Sequence, residues 1–170
     1  MKLAYLSVSG RGATDAVLEK AVALLEAGGM PLAGTVQTNS ERPDRSKCDM
    51  DLRVLPDGPV LRISQDLGEE ARGCRLDGSV LEEAVMEVMH RLDGAALLVV
   101  NKFGKQEALG RGMVSVIAEA LDRDMPVVVG VNGLNLPDFL EFAGGLAERL
   151  APDPLAIAAW ALSDGLADAA

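Results

Sequence analysis

The chain has 170 residues, 49% hydrophobic and 25% charged, which suffices for one substantial core and excludes intrinsic disorder. No apolar run approaches the ~20 residues that span a bilayer, and residues 1–10 lack a secretory cleavage pattern, so a cytoplasmic protein without membrane insertion is expected. A net charge of −10 argues against a nucleic-acid partner, whose phosphates need a basic face. That charge is uneven: 11 of the 16 Lys and Arg lie between Arg42 and Arg111, whereas Gly112 to Ala170 holds 2 basic and 9 acidic residues. The locally basic middle suits a small anionic ligand better than a polyanion.

Leu3 to Val8 is an apolar, β-compatible run that ends at Ser9-Gly10-Arg11-Gly12. Ala13 to Ala27 then carries apolar residues at helical spacing and stops at Gly28-Gly29. With Leu32 to Val36 as the next strand, the opening reads as a parallel βαβ unit. Gln37 to Lys47 is polar and proline-bearing, the composition of an exposed loop. Met50 to Leu55 and Pro59 to Ser64 flank Pro56-Asp57-Gly58, a hairpin turn signal. Gln65 to Arg75 reads as a second polar loop.

Asp77 to Leu92 has helical periodicity, with Asp77 as candidate cap. Ala95 to Val100 and Pro126 to Val131 are wholly apolar, as central parallel strands buried on both faces are. Helices are predicted at Val114 to Leu121, Leu136 to Phe142 and Pro154 to Leu162. Together these elements predict a single three-layer α/β domain over residues 1–170, with a mostly parallel sheet and an antiparallel hairpin insert.

Two segments carry candidate chemistry. The turn between the first strand and helix, with Gly10, Arg11, Gly12, Ala13 and Thr14, stands where backbone N–H groups and a helix start converge on an anion. Against G-x-x-x-x-G-K-[ST], Gly12 and Thr14 match, Ser7 replaces the first glycine and Ala13 replaces the lysine. An ordinary glycine-bearing turn accounts for this segment equally simply. The second segment, Asn101-Lys102-Phe103-Gly104-Lys105-Gln106-Glu107, follows an apolar strand and so reaches the carboxyl edge of the sheet, where α/β proteins place ligands. Asn101, Lys102 and Lys105 favour anion contact over cation coordination, although solvated lysines and a capping Asn fit the pattern too.

The same residues resemble a known family. Gly10-Arg11-Gly12-Ala13-Thr14-Asp15, Gln37-Thr38-Asn39-Ser40-Glu41-Arg42-Pro43, Cys48-Asp49-Met50-Asp51-Leu52, Arg72-Gly73-Cys74-Arg75-Leu76-Asp77, the Asn101 to Glu107 segment and Gly130-Val131-Asn132 look like an uncharacterised bacterial family often encoded beside molybdate-transport genes. More distantly, the order of motifs resembles the THEP-type P-loop nucleoside triphosphatases. The resemblance implies a P-loop-like fold with degenerate Walker A and B motifs. Where such enzymes carry Asp-Glu at the strand end, this chain has Asn101-Lys102, and Glu107 matches a later acidic position.

Arg42, Arg45 and Lys47 in one loop and Arg72 and Arg75 in the next add guanidinium groups suited to oxyanions. Cys48 and Cys74 fall two ligands short of a metal site, with His90 on another element. Asn132 and Asn135 fit either ligand contact or helix capping, and Trp160 fits a core or dimer-interface anchor. Three functions follow: a nucleotide-binding, non-hydrolysing accessory or regulatory protein in molybdenum metabolism, a molybdate- or tungstate-binding protein, or an active nucleoside triphosphatase with rearranged groups. The ligand candidates are ATP, GTP or a molybdate-like oxyanion, and homo-oligomerisation stays open. Hydrolysis is the least expected, for want of a metal-holding carboxylate and a loop lysine.

Overall fold

Five parallel strands and an antiparallel hairpin share one sheet in the computed structural model, which describes residues 1–41, 43, 48–65 and 76–167. The strands are β1 (Leu3–Leu6), β2 (Leu32–Ser40), β3 (Asp49–Leu55), β4 (Val60–Arg62), β5 (Leu97–Phe103), β6 (Val127–Val131) and β7 (Ala147–Arg149). Their order is β4-β3-β2-β5-β6-β1-β7. β2, β5, β6, β1 and β7 run parallel, while β3 and β4 extend the β2 edge antiparallel. The helices are α1 (Ala13–Ala27), α2 (Gly78–Met89), α3 (Lys105–Ala108), α4 (Val114–Asp122), α5 (Leu136–Ala143) and α6 (Pro154–Ala167). The mostly parallel α/β architecture with a hairpin insert matches the sequence expectation.

Each face of the sheet carries its own core. Leu6, Leu18, Leu25, Leu97, Val128 and Ile157 pack between the sheet and helices α1 and α6. Leu81, Val88, Leu98, Phe103, Ile117 and Phe139 fill the opposite side under α2, α4 and α5. Phe103 meets Phe139 edge-on with centroids 5.2 Å apart, which ties the end of β5 to α5. Complete burial of such a ring contributes about 1.5–3 kcal/mol. The wholly apolar runs of β5 and β6 occupy the middle of the sheet because both of their faces are covered.

Three expectations need correction. The opening βαβ unit exists, but β5 and β6 lie between β1 and β2. The segment from Gln37 was expected to be an exposed loop, yet β2 continues to Ser40, pairing with Asp49, and Gln37 is only 6% exposed. Its polarity misleads because a buried amide on the neighbouring strand satisfies it. β5 was expected to stop at Val100 and instead runs to Phe103. The short elements α3 and β7 carry too few periodic residues to register as patterns. Arg42, residues 44–47 and residues 66–75 lie outside the described residues, so the second polar loop is described only at Gln65.

Asp77 caps α2, accepting from the backbone N–H groups of Ser79 at 3.0 Å and Val80 at 3.4 Å. The Ser79 hydroxyl, followed by those backbone donors, holds the Asp77 carboxyl below its ordinary range. In the hairpin, Arg62 of β4 binds both Asp51 and Asp49 of β3. Its guanidinium pKa is raised by the hydrogen bond to Asp51 and by the charges of both carboxylates.

Candidate functional site

The carboxyl ends of β1, β5 and β6 meet the start of α1 around a cleft of 230 Å³. Gly10, Arg11, Gly12 and Thr14 line it from the turn, Asn101 and Lys102 from β5, and Asn132 from beyond β6. A glycine is required at 12, where φ is +71° and side chains with a Cβ pay steric strain. Because Gly12 is also the N-cap, no side chain caps α1. The Ala13 N–H donates to the Gly10 carbonyl at 3.3 Å, which leaves the N–H groups of Thr14 and Asp15 to another acceptor. Thr14 Oγ1 accepts from the backbone N–H of Val8 at 3.2 Å, bracing the turn.

Gly130 allows the two sides of the cleft to close. A Cβ there would stand 2.2 Å from the Asn101 carbonyl oxygen and 3.0 Å from Thr14 Cγ2. No side chain fits this junction of β6, β5 and α1.

Behind the cleft, four polar side chains interlock. Asn101 Nδ2 donates to Asp15 Oδ1 at 3.1 Å and to Gln37 Oε1 at 3.2 Å, and Asn101 Oδ1 accepts from the Gln37 backbone N–H at 2.9 Å. Asn39 Nδ2 donates to Asp15 Oδ2 at 2.8 Å, and Gln37 Nε2 donates to Asn39 Oδ1 at 2.8 Å. Both Asp15 oxygens are therefore held by neutral amide donors. Asn101 is 2% exposed, and its amide presents the donor that a strand-end Asp would lack. Sequence reasoning missed Asp15, Gln37 and Asn39 as site residues. Asp15 was visible as the residue after Thr14, but two of its amide partners, Gln37 and Asn39, come from the end of β2 that was read as loop.

The cations divide into two groups. Arg53 binds Glu26 with both guanidinium nitrogens at 3.1 and 3.2 Å. Arg62, Arg91 and Arg123 also hold carboxylates. Arg11, Lys102 and Lys105, all exposed, have no carboxylate within ion-pair distance among the described residues. Lys102 lines the cleft with Arg11, whereas Lys105 lines a larger adjoining cavity, and Ala13 begins α1 without lining the cleft. Arg42, Arg72, Arg75, Arg45, Lys47 and Cys74 lie outside the described residues.

Other sequence candidates have structural duties. Glu107, 5% exposed, accepts from the backbone N–H groups of Gly104 at 2.9 Å and Met113 at 3.0 Å. Asn132 Oδ1 caps the turn Gly133–Asn135 by accepting from the Asn135 N–H at 2.9 Å, while also lining the cleft. His90 is an exposed C-cap of α2. Trp160 carries Lys2 Nζ over its ring at 4.3 Å and donates to Glu148. Cys48 is half-buried, and no metal-binding group of three His, Cys, Asp or Glu occurs among the described residues. No helix among them is long and apolar enough to cross a membrane.

Comparison with solved structures shows the P-loop nucleoside-triphosphatase type of fold. A human cancer-related nucleoside triphosphatase matches with TM-score 0.61 and 16% identity over 100% of this chain and 99% of that one. THEP1 from Aquifex aeolicus matches with TM-score 0.62 and 15% identity over 91% of each chain. A curated relative, the molybdenum import ATP-binding protein ModC 2 of Bradyrhizobium diazoefficiens, is 33% identical over 135 residues. That alignment covers 78% of this chain and spans 15% of the relative's length. The model of the family described as protein of unknown function DUF2478 matches residues 3–160, and the chain belongs to that family.

Proposed function

We propose that the chain binds a phosphate group or similar compact oxyanion in the cleft at the start of α1, without turning over a nucleoside triphosphate at an enzyme-like rate. The observation that carries this reading is the placement around an uncapped helix start of Arg11 and Lys102, two cations without an ion pair among the described residues. A helix N-terminus with free N–H groups attracts anions, and charged hydrogen bonds strengthen the hold. Gly10, Gly12 and Thr14 shape the turn, and Lys105 stands close by; Arg42, Arg72 and Arg75 remain candidate contacts from their loops.

Phosphoryl transfer needs positioned positive charge and a metal bridging the phosphates. Ala13 stands where a P-loop lysine would reach them, Asn101 replaces the strand-end carboxylate, and Asp15 is already held by amides. Such degenerate Walker positions support ground-state binding, which gives affinity without acceleration. The name of the curated relative supports a role in molybdenum handling, as an accessory or regulatory protein in the cytoplasm.

The small volume of the cleft, 230 Å³, favours a second reading in which free molybdate or tungstate is the ligand. Calorimetric titration with ATP, GTP, phosphate, molybdate and tungstate, each with and without Mg²⁺, separates the two. Magnesium-independent oxyanion binding without a nucleotide signal selects the second. Phosphate release near 1 s⁻¹, the low end of ordinary enzymes, and its abolition by Thr14→Ala would overturn the non-hydrolysing reading.

A further inference from the structure

The cleft that gathers Arg11 and Lys102 is also lined by a carboxylate, Asp15. Asn101 Nδ2 donates to its Oδ1 at 3.1 Å, while Asn39 Nδ2 at 2.8 Å and Gln37 Nε2 at 3.5 Å donate to its Oδ2. All three donors are neutral amides. No basic side chain stands within ion-pair distance of Asp15 among the described residues. An ionised carboxylate offers about four acceptor sites, so Oδ1, with one donor among the described residues, keeps an acceptor to spare.

A carboxylate is an unexpected lining for an anion site, because it repels a ligand that presents only lone pairs. The groups around it are donors. Arg11 and Lys102 bring full positive charge to the cleft. The Thr14 hydroxyl, which accepts from the Val8 N–H, still has its own proton to give. Asn132 Oδ1 is occupied by Asn135, which leaves the Asn132 NH₂ group as a further donor. The cleft thus combines several donors with one charged acceptor, held in place by amides from β2 and β5.

We propose that Asp15 makes the cleft selective for an oxyanion that still carries a proton, whose O–H donates to the carboxylate, and against fully deprotonated oxyanions. The proposal rests on the anion-binding reading above and names the class of anion. Orthophosphate and arsenate keep at least one O–H at neutral pH, whereas sulfate, molybdate and tungstate keep none. Towards the first pair Asp15 acts as an acceptor; towards the others it is an unrelieved like charge. A site built to hydrogen-bond a ligand hydroxyl rejects the analogue that lacks it, because its own polar group is left unpaired. Repulsion adds to that rejection and so to specificity. Neutral holders matter here. Asn101, Asn39 and Gln37 fix the carboxylate without cancelling its charge, as an arginine in their place would.

The test is calorimetry on the full chain at neutral pH with inorganic phosphate, arsenate, sulfate and molybdate. Phosphate and arsenate are expected to bind at least about tenfold more tightly than sulfate and molybdate; a smaller ratio overturns the proposal. Asp15→Asn removes the charge, and Asp15→Ala removes the whole carboxyl group. Each should lower the phosphate-to-sulfate affinity ratio at least about threefold, through tighter sulfate binding. A merely structural role would weaken all four anions together and leave the ratio alone. Circular dichroism verifies the fold, and two variants keep the test decisive where one does not fold. A smaller change of ratio in the folded variants overturns the role of Asp15 while leaving anion binding intact. Wild-type protein that titrates with none of the four anions overturns the anion-binding reading as well.

Discussion

The Asn101 side-chain amide donates to the Asp15 carboxylate at 3.1 Å, joining the end of β5 to the first turn of α1 across 86 residues of chain. This bond locks the start of α1 to the sheet. Asn101→Asp would replace the donor by a second negative charge and also remove the donor to Gln37 Oε1. The expected cost is about 2–3 kcal/mol, that of a buried charged group deprived of hydrogen bonds. Urea unfolding of wild type and variant measures the cost.

Arg11→Ala and Lys102→Ala probe the cations of the cleft. Neither residue has an ion pair among the described residues, so stability should stay within about 0.5 kcal/mol of wild type. Anion affinity should fall by about 1.5–3 kcal/mol for each, the value of a charged hydrogen bond. Arg53→Ala is the contrasting control: it breaks the pair with Glu26 and should leave anion affinity alone. Titration calorimetry with inorganic phosphate and thermal melts of the same samples check all three.

Gly130→Ala tests the close approach beneath the cleft. The added methyl would meet the Asn101 carbonyl at 2.2 Å and Leu18 Cδ1 at 2.9 Å. Relief requires movement of β6 against β5, which costs about 1–3 kcal/mol for an overpacked core. Anion affinity should fall with stability, because Thr14 shifts with its neighbours. Chemical denaturation and phosphate titration read the two effects.

Glu107 organises the turn from β5 to α4. Glu107→Ala leaves the N–H groups of Gly104 and Met113 buried without their acceptor and should cost about 2–4 kcal/mol. Glu107→Gln keeps one acceptor oxygen and should cost less. A substitution at exposed Glu83 serves as the neutral comparison in the same denaturation series.

The cap of α2 gives a pH-dependent prediction. The folded-state pKa of Asp77 is lowered, chiefly by the Ser79 hydroxyl, so its stabilising effect is complete above the unfolded-state pKa. It is lost as pH falls through the lower folded-state value. Wild type should therefore exceed Asp77→Ala in thermal stability at neutral pH, and the difference should narrow below the ordinary aspartate value of 3.8. Melting curves of the two proteins between pH 7 and the acid range measure the narrowing.

Local pattern was enough for the longer helices and the central strands. Helical periodicity marked α1 from Ala13 to Ala27 at both ends, because Gly12 and Gly28 punctuate it. The uninterrupted apolar runs marked β5 and β6 as central, since only strands covered on both faces carry such runs. Pro56-Asp57-Gly58 announced the hairpin because turn dihedrals constrain residue type. Gly10, Arg11, Gly12, Thr14, Asn101 and Lys102 could be nominated from their places at strand ends, and the structure does gather them around one cleft.

Long-range partners were beyond that reach. Gln37 and Asn39 look like loop residues by composition, yet they continue β2 because Asn101 and Asp15, 64 and 24 residues away, complete their hydrogen bonds. No local window contains both halves of such a bond. Strand order was likewise settled by packing: β5 and β6 entered between β1 and β2 because their apolar faces need cover on both sides. The sequence by itself determined the longer helices, the central strands and the hairpin, and which residue types stand near their ends. Only the tertiary structure decided that Asp15 is engaged, that Arg11 and Lys102 have no ion pair among the described residues, and that a second cavity adjoins the first, because satisfaction belongs to the folded arrangement of distant groups.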